Sequence, residues 1–360
     1  VEPGISRSTE RALRRDGRGD FLTDREVLAP AYVDVHCHGA GGGSASDDEA
    51  SLRSMAATLL AHGVAGFVAA LMTAPLTDLL AAAGQAERPA DPQADTGEEP
   101  HVATLLGLHF EGPALSPDWS AGHDAAALTS PLELSRSLAS ASEAWRSVRI
   151  VTLAPELEGG LQLVDDLGRA GVVASIGHTG ASVDVAASAY ESGARSTTHL
   201  FNGMPPLHHR APGPVGAALA WAPFIELICD GLHVDARIMP SLARAIGDDR
   251  LVLVSDAVPL AGSRLRRVRV PGSSARIEAH RAVHPDGTLA GSRLLLDGMV
   301  ANAVRSGVPL TSALRAATEN PARLLVLRDR GTLTEGSIAD LVVVSRAGRL
   351  RRVLTSGLEA

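Results

Sequence analysis

The chain has 360 residues, 45% of them hydrophobic, with a formal net charge of −8. That is enough apolar material for one large α/β domain with a small partner domain. The acidic balance and an aromatic content of 3% argue against a nucleic-acid partner, because both a basic footprint and a stacking platform are missing.

No run of eighteen or more apolar residues appears, so no membrane span is expected. Val1–Asp20 is polar and lacks the apolar centre of a secretory signal. Two cysteines, Cys37 and Cys229, are too few for a disulfide scaffold and suit a reducing cytoplasm. All 33 basic residues are arginine; the chain has no lysine.

Along the chain, Arg11–Arg18 is a charged run expected at the surface, and Tyr32–His38 begins the first clear strand. Short apolar runs then recur as candidate strands at Val33–His38, Gly66–Met72, Val102–Phe110, Val148–Leu153, Val172–Ile176, Ser196–Leu200, Phe224–Cys229 and Leu251–Val254. Helical patterns lie between them. Ser46/Asp47 with Glu49 should cap the first and His62-Gly63 end it, while Thr77–Ala86, Leu161–Ala170, Val183–Glu191 and Ala236–Ile246 are others. Eight strands alternating with helices predict a parallel (β/α)8 barrel, although counting alone also admits an open sheet.

Arg88–Pro100 reads as a surface loop, and Pro259–Thr288 as a hairpin excursion with pieces at Leu265–Val270 and Ala275–Ala279. Ser292–Ser306 and Thr311–Leu325 read as two helices, and Ala339–Val344 and Leu350–Leu354 as two strands. The expected layout is a barrel over 33–335 and a small β-domain built from both ends, 1–32 and 336–360.

Chemistry-bearing residues collect at strand ends, where a barrel of this kind places its active site. The first strand ends D-V-H-C-H-G, which puts His36 and His38 on one side of it. Alone, that spacing fits metal ligands and hydrogen-bonded core residues equally. Glu111 ends the third strand in G-L-H-F-E-G-P, where a buried carboxylate needs a cation or a salt bridge. His109 on the same strand reads as a core hydrogen-bonding residue, or as a support for a metal ligand.

His178 and His199 end successive strands joined by one helix, so in a parallel sheet they lie side by side. Two imidazoles and one carboxylate, with a position left for water, are an established arrangement for hydrolytic zinc. Asp256 ends the eighth strand in L-V-S-D-A and could move protons there, or simply cap a helix. The stiff loop Asn202–Gly216 carries His208, His209 and Arg210, a basic point in an acidic chain. Arg210 suits a phosphate, with His233 of C-D-G-L-H as an assistant; either could also be an exposed loop residue.

Taken together these segments resemble the N-acetylglucosamine-6-phosphate deacetylase family of the amidohydrolase superfamily. The matching stretches are D-V-H-C-H-G-A-G-G-G, G-L-H-F-E-G-P, V-T-L-A-P-E, I-G-H-T-G-A-S, T-H-L-F-N-G-M-P-P-L-H-H-R-A-P-G, D-G-L-H-V-D, V-S-D-A, L-A-G-S and T-E-N-P-A, in family order from residue 33 to about 345. The resemblance implies that Glu111, His178 and His199 bind one catalytic divalent metal, zinc by expectation, and that Asp256 is the general base and acid. It implies that His36 and His38 mark a second metal position that some members keep. Sugar and phosphate contacts would fall on Gly122, His123, Asn202, Gly203, Arg210, His233, Ala290, Gly291 and Ser292.

The resemblance further implies a homodimer acting on a small sugar phosphate, with Arg210 reaching across the dimer interface. Many amidohydrolases bridge two metals with a carboxylated lysine; a chain without lysine cannot, so Glu111 must take that place. Other readings are a different amidohydrolase acting on a cyclic amide or nucleobase, or a sugar-phosphate binding protein with weak activity.

Overall fold

In the computed structural model of this chain the residues described are 25–86, 101–140, 143–270, 273–355 and 358–359. Among them, eight parallel strands form one continuous sheet in chain order: Tyr32–Cys37, Val64–Met72, Thr104–Glu111, Val148–Leu153, Val173–Ile176, Ser196–Thr197, Phe224–Ile228 and Leu251–Val254. Most of these strands read as unbroken apolar runs because helices cover one face and the barrel interior the other. Val64–Met72 is buried along nearly its whole length.

The barrel closes between its first and eighth strands. Asp256 N donates to His36 O at 2.8 Å, His38 N donates to Ala257 O at 2.8 Å, and Cys37 bridges Ala257 in parallel. The closing joint therefore carries three of the expected site residues, His36, His38 and Asp256.

Alternation within Thr104–Glu111 aims the site. Phe110 is fully buried with its ring centroid 5.5 Å from that of Trp145, while its neighbours His109 and Glu111 turn to the other side. Cutting such a residue back to Ala costs about 3–5 kcal/mol.

A separate antiparallel sheet sets Glu26–Pro30 beside Leu341–Ser345, then Leu350–Thr355 and Leu358–Glu359. The excursion after the eighth strand holds three strands where the sequence suggests two: Arg267–Val270, Ser273–Glu278 and Arg281–Val283. It has its own small core of Val258, Leu260, Ala275 and Ala282. The third strand is too short for its alternation to show in the sequence.

Several sequence expectations need correction. The sixth strand pairs only over Ser196–Thr197, not to Leu200, because His199 adopts a left-handed backbone (φ 24°) and Asn202 N turns back onto its carbonyl. The first helix, Glu49–Ala61, is capped by Asp48, whose carboxylate accepts from Ser51 N, rather than by Ser46 or Asp47.

Thr311–Leu325 is two helices, Leu310–Ala317 and Glu319–Leu324. Pro321 lacks an N–H and its ring would clash with the Ala317 carbonyl, so the first helix stops there. Ser292–Ser306 shortens to Leu296–Arg305 because Ser292 is tied back to Asp256.

Two helices were not expected. Pro131–Ser140 follows a weak apolar pattern, and Gly213–Trp221 starts inside the glycine- and proline-rich connector, using Pro214 in its first turn. Arg11–Arg18 and Arg88–Pro100 lie outside the described residues.

Candidate metal centre and active site

Glu111 is the hub, with five imidazoles close around it. Its Oε1 lies 2.8 Å from His199 Nε2, 3.0 Å from His178 Nε2 and 3.6 Å from His36 Nε2. Its Oε2 lies 3.2 Å from His38 Nε2 and 3.4 Å from His123 Nε2. Asp256 closes the far side, Oδ1 standing 3.2 Å from His38 Nε2 and 3.7 Å from His36 Nε2. It caps no helix.

Backbone conformation turns these side chains inward. His178 (φ 46°), His199 (φ 24°) and Asp256 (φ 46°) are all left-handed, which costs a non-glycine residue on the order of 1–3 kcal/mol each. Three such residues, after the fifth, sixth and eighth barrel strands, mark a site whose geometry is held against local preference.

Hydrogen bonds on the far ring nitrogens sort the imidazoles by role. His178 Nδ1 donates to Trp119 O at 2.8 Å and His38 Nδ1 to Ala70 O at 3.0 Å. His36 Nδ1 donates to Glu226 Oε2 at 3.0 Å. Each of these rings then turns its Nε2 toward Glu111, the nitrogen that a cation would take.

His123 is the reverse. Its Nδ1 accepts the Thr73 backbone N–H at 3.2 Å and faces Thr73 Oγ1 at 2.9 Å, so its own proton sits on Nε2. It enters the site as a hydrogen-bond donor, not a ligand. Burial keeps it neutral, lowering its pKa to about 4.

His109 leaves the site altogether. Its Nδ1 meets Val35 O at 3.3 Å and its Nε2 meets Thr152 Oγ1 at 2.7 Å, and burial holds it well below its ordinary pKa. It is the core residue the sequence suggested.

Charge is strongly coupled across the cluster. Burial alone would raise Glu111 and Asp256, but the surrounding imidazoles hold both carboxyls well below their usual range. Burial likewise pulls on His38, yet Asp256 and Glu111 lift it to about 9; Glu111 and Glu226 lift His36 well above its ordinary value.

The donor set fits a divalent cation. Donor atoms of His36, Glu111 and His199 lie within 4.8 Å of one another, as do those of His36, His38 and Asp256. Ligands about 2.1 Å from a tetrahedral zinc ion stand about 3.4 Å apart, close to the spacings around Glu111. All are nitrogen or oxygen donors, the kind zinc takes from imidazole and carboxylate.

Glycines sit where side chains would block the site. A Cβ on Gly203 (φ 59°) would stand 2.7 Å from His178 Nδ1, and one on Gly291 (φ 112°) would stand 2.7 Å from Asp256 O. Gly122 packs against the His284 ring, and Ala290 N donates to Ala282 O. Ser292 N donates to Asp256 O at 2.8 Å, while its hydroxyl accepts from Leu294 N; that side chain shapes its own turn. Asn202 Nδ2 donates to His199 O at 3.1 Å and so props the rim of the sixth strand.

His233 is fixed by Asp230, Nδ1 to Oδ2 at 2.8 Å. Burial pulls its pKa down, but Asp230 and the more remote Asp256 carry the balance above its ordinary value. Arg210 is exposed, its guanidinium 2.8 Å from His209 Nε2.

Sequence reading missed Thr73, Glu226 and Glu156. Glu156 accepts from Thr179 Oγ1 at 2.5 Å and Gly180 N at 2.7 Å, and so holds the loop after His178. Glu226 stands inside the apolar run F-I-E-L-I, a local signal that could have exposed it. Thr73 acts through its backbone N–H, for which no sequence signal exists.

A model of the amidohydrolase family matches residues 27–358. N-acetylglucosamine-6-phosphate deacetylase of Bacillus subtilis (strain 168) is 34% identical over 344 residues, 94% of this chain and 85% of the relative. N-acetylgalactosamine-6-phosphate deacetylase of Escherichia coli O157:H7 is 33% identical, covering 93% of this chain and 88% of the relative. Among solved structures, N-acetyl-D-glucosamine-6-phosphate deacetylase from Mycobacterium smegmatis superposes with a TM-score of 0.83 at 33% identity, over 96% of this chain and 91% of that one.

Proposed function

The chain belongs to the amidohydrolase family, and from that premise we propose the reading its site supports best: it deacetylates N-acetylglucosamine 6-phosphate, releasing glucosamine 6-phosphate and acetate. The observation that carries it is the convergence of His178 and His199 Nε2 on one Glu111 oxygen, beside Asp256 and a donor His123.

Glu111, His178 and His199 would hold the catalytic cation, zinc being the proposed metal because the donors are imidazole and carboxylate. When bound, a divalent cation supplies Lewis acidity that makes water a nucleophile near neutral pH and polarises an amide carbonyl. Asp256, kept ionised, takes a proton from water through Oδ1 and returns it to the departing amine as the C–N bond breaks. His123 donates from Nε2 to the acyl oxygen as negative charge gathers there. His233 and Arg210 hold the 6-phosphate, adding binding energy far from the reacting carbon. Gly122, Asn202, Gly203, Ala290, Gly291 and Ser292 shape the walls.

The barrel is assigned to 33–335 and the small β-domain to 1–32 and 336–360, supported by the antiparallel sheet joining both ends. A homodimer is proposed from Leu207, Trp221, Leu232 and Ile238, four exposed large apolar side chains in one stretch that also holds Arg210. Two buried free thiols, Cys37 and Cys229, support a cytoplasmic location.

Acetate release should be measured on N-acetylglucosamine 6-phosphate, its galactosamine epimer and the unphosphorylated sugar. Turnover should be highest on the first, and Arg210→Ala should raise KM for it about tenfold or more with little change in kcat. Equal kcat/KM with and without the phosphate would remove the substrate assignment.

A further inference from the structure

Glu226 lies in the middle of the seventh barrel strand, Phe224–Ile228, and all five residues of that strand are buried. A carboxylate there is costly, and an apolar residue of similar size would fill the space without that cost. Its contacts run to two segments that carry site imidazoles. Oε2 accepts the His36 Nδ1–H at 3.0 Å and also the His199 backbone N–H at 3.3 Å. Oε1 is buried without a hydrogen-bond partner.

We infer that Glu226 is the positioning carboxylate of the cation centre, pinning the His36 proton on Nδ1 so that its Nε2 completes a second cation position with His38 and Asp256. The inference rests on the metal-dependent reading above. His36 Nε2 stands 3.3 Å from His38 Nε2 and 3.7 Å from Asp256 Oδ1, and the three donor atoms lie within 4.8 Å of one another.

A ring without such a partner can carry its proton on either nitrogen; a carboxylate behind Nδ1 leaves Nε2 as the only free lone pair and makes it a stronger donor. His38 and His178 have only backbone carbonyls behind them. Because the same Glu226 oxygen holds the His199 N–H, one side chain also sets the spacing between the two cation positions.

The test is a Co2+ titration of the full chain after chelator stripping, followed by visible absorption and equilibrium dialysis. Wild type should take two equivalents. Glu226→Leu should weaken the second at least about 100-fold, and Glu226→Gln, which keeps an acceptor oxygen, should weaken it about tenfold, while the first weakens far less because Glu226 reaches it only through the His199 backbone N–H. In a His36→Asn background neither change should have further effect on the second equivalent.

A Glu226→Leu protein that binds the second equivalent like wild type overturns the inference, as does a wild type that takes up only one; in both cases the metal-dependent reading stands. A wild type that takes up none overturns both. Loss of both equivalents together with the melting transition, in Leu and Gln variants alike, assigns Glu226 to folding and overturns the positioning role.

Discussion

His199 Nε2 lies 2.8 Å from Glu111 Oε1, although 88 residues separate the two along the chain. The same oxygen meets His178 Nε2 at 3.0 Å. One carboxylate oxygen between two imidazoles whose strands end side by side is the arrangement from which the catalytic predictions follow.

Glu111→Gln keeps the shape of that side chain and removes its charge. Bound divalent metal should fall well below one equivalent by elemental analysis, and kcat/KM should drop about a thousandfold or more, the several kcal/mol that a Lewis acid supplies. Chelation of the wild type should match this loss, and added zinc should reverse it. Full activity in a demetallated sample would end the metal assignment.

Asp256→Asn removes the proton carrier and leaves Glu111, His178 and His199 in place. The first equivalent of metal should remain, and kcat should fall by about 10²–10⁴. Turnover near wild type would show that another group moves the proton.

Gly203→Ala places a Cβ 2.7 Å from His178 Nδ1 at a backbone φ of 59°. The strained backbone alone costs about 1–2 kcal/mol, and the methyl must push the His178 ring from its place. Calorimetry should show a melting temperature lower by about 2–6 °C, together with weaker metal uptake. Unchanged uptake would mean that the ring has room to give.

His62 Nδ1 lies 3.1 Å from Asp297 Oδ2, and that bond outweighs burial and raises the imidazole above its ordinary pKa of 6.5. A raised folded-state value means the pair adds stability below the unfolded pKa and loses it as pH rises through the folded one. The pair is partly exposed, so its contribution is modest. The melting-temperature gap between wild type and Asp297→Asn should be largest near pH 5.5 and shrink steadily toward pH 8. A gap that widens over that range would reverse the assignment.

Much of this molecule was readable one segment at a time. Runs such as Val64–Met72 and Leu251–Val254 must become buried strands wherever they lie, and helices between them make the sheet parallel. His178, His199, Glu111 and Asp256 could be placed at strand ends because a strand end is a local feature.

Tertiary structure decided what each imidazole is for. A proton on Nδ1 or Nε2 depends on a distant partner: Trp119 O for His178, Ala70 O for His38, Glu226 for His36 and the Thr73 N–H for His123. Backbone donors and acceptors are the same for nearly every residue type, so no sequence pattern marks them. The barrel's closing bonds between His36 and Asp256 and between His38 and Ala257 are likewise contacts across the whole chain, to which no local periodicity points.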